Sequence, residues 1–108
     1  MKNTRTAALV AAIWALGCGV AQADPKAGQG KSRACAACHG QMGMSIVPDA
    51  PNLAGQPEMY LSEQLKAYRS GKRVHEVMSL MAKSLSDDDI ADLSGWYASI
   101  KVDIREKP

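Results

Sequence analysis

Cys35 and Cys38 stand two residues apart and an imidazole follows at once, in the run Cys35-Ala36-Ala37-Cys38-His39. Two intervening residues let one helical turn set both sulfurs along one edge of a flat macrocycle. Each thiol can then add across one vinyl group of a porphyrin, and the next side chain lies over the metal. The pattern C-x-x-C-H reads as covalent attachment of a c-type haem, with neutral His39 as proximal iron ligand. Other chemistries share part of this pattern. A thioredoxin-like redox couple would need a βαβ neighbourhood, which the sequence lacks. A short-loop disulfide suits an oxidising compartment. A zinc site would need a fourth ligand, and the only other histidine is His75.

The compartment follows from the start of the chain. Residues 1–23 have the form of a cleavable signal peptide: Lys2 and Arg5, an apolar run from Ala7 to Leu16, and a small-x-small site at Ala21-Gln22-Ala23. The run is shorter than the roughly 20 residues that span a bilayer, so no stable membrane insertion is expected after cleavage. Cleavage leaves 85 residues, 24–108, as a single domain whose only cysteines are Cys35 and Cys38. It also removes two of the 13 bases and no acid, leaving 11 against 11. With no basic surplus, a nucleic-acid partner is not expected. Tyr60, Tyr68, Trp96 and Tyr97 are the only aromatic residues of this small domain, so the chain needs a staple or a cofactor to supply enough buried surface.

The elements around the motif read as helices. Asp24 and Pro25 are an acidic cap and a first-turn proline, opening one helix from Asp24 to about Ala34 that runs into the motif. Gly28 and Gly30 weaken that helix unless another crosses it closely. Residues 40–56 hold three glycines and two prolines without a sustained period and read as a loop wrapped around something. Pro57 opens a helix with Leu61, Leu65 and Tyr68 on one face and Lys66, Arg69 and Arg73 on another, and Gly71 stops it. Residues 72–85 contain Met78 and Met81. Ser86-Asp87-Asp88-Asp89 resembles a capping box, followed by Ile90, Leu93, Tyr97 and Ile100 at amphipathic spacing. No strand-like alternation appears, so the class is all-α.

The chain resembles the class I c-type cytochromes of bacteria, both the small single-haem forms and single halves of the di-haem c-four kind. The matching stretches are Ala27-Gly28-Gln29, Cys35 to Gly40, Pro51-Asn52-Leu53-Ala54-Gly55-Gln56, Tyr60-Leu61 with Gln64-Leu65, Ser70-Gly71-Lys72-Arg73, Met78, Leu85-Ser86-Asp87, and Asp89-Ile90 with Leu93 to Ser99. The resemblance implies a fold of about four helices around one covalently attached haem c. It implies that the Pro51 carbonyl accepts a hydrogen bond from His39, that Gly28 lets the first helix cross the last beside Trp96 or Tyr97, and that Met78 is the distal iron ligand. Met81 then fills the haem pocket, and His75 is the bis-histidine alternative. Met42, Met44 and Met59 are read as gap-fillers.

A His/Met pair leaves iron no open position, and a thioether raises the reduction potential relative to a second imidazole. The resemblance therefore implies a periplasmic electron-transfer protein rather than an enzyme, cycling Fe(III)/Fe(II) between a protein donor and a protein acceptor, such as a terminal oxidase or a dehydrogenase. It is expected to be a monomer or a weak dimer. The alternatives are a haem subunit held permanently in a dehydrogenase or oxidase complex, and a five-coordinate haem enzyme or gas sensor. Lys66, Arg69, Lys72 and Arg73 form a basic group and Asp87, Asp88, Asp89 and Asp92 an acidic one, either orienting an encounter or standing as ordinary solvated faces. Arg73 is also a candidate partner for a haem propionate.

Overall fold

An aspartate and a proline start the first helix. In the computed structural model, which describes Gly17 and residues 19–106, the Asp24 carboxylate accepts hydrogen bonds from the backbone N–H groups of Lys26 and Ala27, and α1 runs from Pro25 to Lys31. The apolar leader run Ala7 to Leu16 and Cys18 lie outside the described residues. The later helices are α2 (Arg33–His39), α3 (Glu58–Ser70), α4 (Glu76–Ala82) and α5 (Asp87–Ser99), and the described residues contain no strand. The all-α class expected from the sequence therefore holds.

The expected single helix over residues 24–34 is instead jointed. Ser32 ends α1 and precedes α2. Its hydroxyl donates to the Gln29 carbonyl at 2.8 Å, an alternative to regular helix bonding that serine offers more readily than alanine or leucine. Counting α1 and α2 as one jointed helix recovers the expected four. Helix α4 lies within residues 72–85, where local residue pattern alone marks no element. Seven residues are too few to show a period, and its cap is a histidine, outside the usual set of Ser, Thr, Asp and Asn. Pro57 caps α3 rather than entering it, and Gly71 ends that helix at φ 80°.

Both sides of the expected capping box are present on α5. The Ser86 hydroxyl accepts from the Asp89 N–H and the Asp89 carboxylate from the Ser86 N–H, each at 3.0 Å. The inward face of α5 supplies Ile90, Leu93 and Tyr97, which with Leu61 and Ala82 make up the buried hydrophobic core of the described residues.

Helix α1 lies across α5 at Gly28. A Cβ there would collide with the Asp92 carbonyl oxygen and stand 2.7 Å from the Trp96 Cβ, whereas one at Gly30 would meet nothing within 4 Å. The close crossing explains the first glycine, and nothing in the structure explains the second. The Asp92 carboxylate reinforces the contact, accepting from the Asp24 N–H at 2.8 Å and from the Lys31 ammonium at 2.6 Å. Lys31 also reaches Asp89 at 2.8 Å. The Lys31 ammonium holds the Asp89 carboxyl down to about 2, with the Ser86 N–H adding to the effect. Lys31 likewise lowers Asp92, aided by the Asp24 N–H, and is itself raised by Asp89 and Asp92.

Gly28→Ala should force α1 and α5 apart and lower the thermal midpoint by the equivalent of about 1–3 kcal/mol, while Gly30→Ala should raise it by up to about 1 kcal/mol. Thermal unfolding of the two variants checks the contrast. The ion pairs give a second expectation. Carboxyls depressed in the folded state stabilise it above their ordinary value near 4, and that stability is lost as pH falls through the depressed value. Wild type should therefore melt higher than Lys31→Ala at neutral pH. The gap should close between about pH 4 and pH 2, as thermal midpoints across that range would show.

Candidate functional site

Helix α2 carries both thiols and the imidazole. Cys35 and Cys38 have free sulfurs and are half-buried, and burial pushes the Cys35 thiol up. Gly40 ends the helix, its N–H reaching the Ala36 carbonyl at 3.0 Å. His39 is buried, and its Nδ1 lies 2.8 Å from the Pro51 carbonyl oxygen. A carbonyl can only accept, so Nδ1 carries the proton and Nε2 keeps its lone pair for a metal. The hydrogen bond that the resemblance implied is present.

The loop over residues 40–56 brings Pro51 to that position by doubling back on itself. The Gly43 carbonyl accepts from the Leu53 N–H at 2.8 Å and from the Ala54 N–H at 3.1 Å. Gly43 itself has φ 71°, and a Cβ on it would stand 2.8 Å from the Ala54 nitrogen and 2.9 Å from Tyr97 Cδ1. Only a residue without a side chain fits that conformation and that space. Asn52 Oδ1 accepts from the Ser45 N–H at 2.7 Å. The loop is tied to α2 by the Ile46 N–H on the Cys38 carbonyl, and to α5 by the Gly55 N–H on the Tyr97 carbonyl.

An apolar cavity of about 310 Å³ opens beside α2, lined by Cys35, Leu65, Met78, Met81, Leu85 and Leu93 among others. Cys38 and His39 are not among its lining residues. Of the two methionines in its wall, Met78 is half-buried and Met81 is 40% exposed. His75 does not line the cavity, and its Nδ1 is occupied in capping α4. Met42, Met44 and Met59 are exposed and lie outside the lining.

This donor set suits a covalently bound haem. It offers two free thiols one turn apart, an imidazole fixed in the tautomer that leaves Nε2 free, and an apolar cavity with thioethers in its wall. The Tyr97 hydroxyl is buried beside the Cys35 thiol with no hydrogen-bond partner, and burial raises it. Among the described residues no three side chains of His, Cys, Asp or Glu form a cluster that could hold a metal ion, so the zinc arrangement is not assembled.

The two charged groups are less separate than the sequence suggests. Arg69 donates to Asp87 at 2.6 Å and lowers that carboxyl, while Lys31 takes up Asp89 and Asp92. Arg73 donates to the Gln64 side chain at 2.6 Å and stacks over the Tyr68 ring. Sequence reasoning missed the load-sharing role of Asp92, which sits in an acidic run that looks solvated, and the cap made by His75.

Comparison with known proteins agrees with this site. A family model described as cytochrome c matches residues 26–101. Cytochrome c-554(548) of Halomonas halodenitrificans is 46% identical over 79 residues, covering 70% of this chain and 95% of that protein. Cytochrome c4 of Pseudomonas aeruginosa is 38% identical over 102 residues, covering 94% of this chain but 51% of that protein. The crystal structure of reduced recombinant cytochrome c4 from Pseudomonas stutzeri superposes with a TM-score of 0.69 at 40% identity, over 73% of this chain and 46% of that one. The chain thus spans nearly all of the first relative and about half the length of the cytochromes c4. From the helical fold, the C-x-x-C-H helix with its Pro51-held histidine, and these matches together, the chain belongs to the cytochrome c family, whose members bind haem c covalently through that motif.

Proposed function

We propose that this chain is an exported electron carrier in which Cys35 and Cys38 form the two thioethers, His39 is the proximal iron ligand and Met78 the distal one. The observation that carries the reading is the 2.8 Å contact from His39 Nδ1 to the Pro51 carbonyl. It fixes the imidazole immediately after the second thiol, with Nε2 free to bind. Haem c, when bound, supplies a one-electron Fe(III)/Fe(II) couple. The protein's part is to hold its ligands in place in both states, which keeps reorganisation small. The loop ties of Pro51 do this for His39, and helix α4 does it for Met78.

Between the two methionines of the cavity wall, Met78 is favoured by the family register and by its greater enclosure. A leader over residues 1–23, a single domain over 24–108, a periplasmic location and redox protein partners belong to the same reading. No described helix is long and apolar enough to cross a membrane. With His39 and Met78 both holding the iron, no position would be left for a substrate, and the protein would serve as a carrier between a donor and an acceptor rather than as an enzyme.

Protein exported from cells able to attach haem should show a weak long-wavelength absorption band when oxidised and no spectral change under carbon monoxide when reduced. Met78→Ala should lose the band and respond to carbon monoxide. A prompt carbon monoxide response from the unmodified protein would instead mean an open or labile sixth position. The thin core gives a further expectation, since its largest fully buried side chains are Ile90 and Ser94. The Cys35→Ser, Cys38→Ser double variant, made without haem, should lack a cooperative thermal transition by circular dichroism.

A further inference from the structure

Helix α4 has seven residues, too few to persist in isolation, so its ends decide whether Met78 stays where the chain puts it. Met78 is the third residue of the helix, and its N–H is one of the donors that a helix start leaves without an internal partner. His75 satisfies it. The His75 Nδ1 accepts from the Val77 N–H at 3.2 Å and from the Met78 N–H at 3.3 Å. The bonding is reciprocal: the His75 N–H donates to the Ser79 hydroxyl at 3.0 Å, and the Ser79 N–H donates to the His75 carbonyl at 2.9 Å.

The ring that makes this cap is itself held by α3. It meets the edge of Tyr68 at a centroid distance of 6.5 Å and 73° between planes. The Arg73 guanidinium lies 4.7 Å from the Tyr68 ring centroid, and Arg73 is fixed in turn by Gln64. Beyond the far end of α4, Arg69 donates to the Leu85 carbonyl at 2.9 Å.

We propose that His75 is a positioning residue for Met78, its Nδ1 capping α4 and fixing the turn from which the methionine projects. This rests on Met78 being the distal ligand, as proposed above. The histidine that looked like a rival ligand thus serves the methionine instead.

The test uses the haem-loaded protein and added imidazole, which competes for the sixth position of oxidised iron. His75→Ala should raise the apparent imidazole affinity about fivefold, the population change expected from losing one N-cap. His75→Asn can accept the same two N–H bonds and should restore the affinity to within about twofold. Amide hydrogen exchange at Val77 and Met78 should quicken in parallel in the alanine variant, a readout that does not depend on iron ligation. Wild-type imidazole affinity and wild-type exchange in His75→Ala would overturn the proposal. So would an asparagine variant as weakened as the alanine one, which would assign the effect to the Tyr68 contact. Met78→Ala separates the two readings. If it leaves imidazole binding unchanged, the ligand assignment fails and the positioning role with it. If it strengthens binding while His75→Ala does not, only the role of His75 fails.

Discussion

The crossing of α1 and α5 is the contact from which the site takes its position. Helix α2 continues from α1 through Ser32, so the thiols and the imidazole stand wherever α1 is held. What holds it is backbone pressed on backbone at Gly28 and Asp92, with the Asp92 carboxylate binding Asp24 and Lys31 on either side. A carboxylate with this little exposure is costly to bury, and the two donors offset that cost. The same helix carries Tyr97, whose carbonyl anchors the loop end and whose ring packs against Gly43. Helix α5 therefore locates both the helix that bears His39 and the loop that supplies Pro51.

The opposite wall is built differently. Helix α4 has few buried side chains and depends on polar and aromatic contacts with α3 at its two ends. The setting of His39 thus rests on close packing and that of Met78 on caps and side-chain bonds. Bonds of the second kind open more readily, so the protein holds these two side chains with unequal firmness.

Much of this was legible in the sequence because the signals were local. C-x-x-C-H, the Asp24-Pro25 start, the Ser86 box and the Gly71 stop each depend on neighbouring residues, and the start, the box and the stop stand in the structure as read. The helix crossing at Gly28 and the Pro51 contact came from resemblance, since nothing near either residue in the chain reveals its distant partner. What escaped had no local signature. The joint at Ser32 depends on a side-chain bond that competes with a regular helix, and α4 is shorter than two periods of its own pattern. Asp92 looked like one more solvated acid because Lys31, its partner, lies 61 residues away.

That separation also bears on how the chain folds. Helix α1 finds its main partner only in α5, so little rewards α1 for forming until the chain through α5 has emerged. Contacts of such span close large loops and are paid for in chain entropy before they return anything. Until α5 arrives, the segment bearing Cys35 and Cys38 has no cover from it. The topology itself thus leaves an interval in which both thiols are open to chemistry before the core shuts over them.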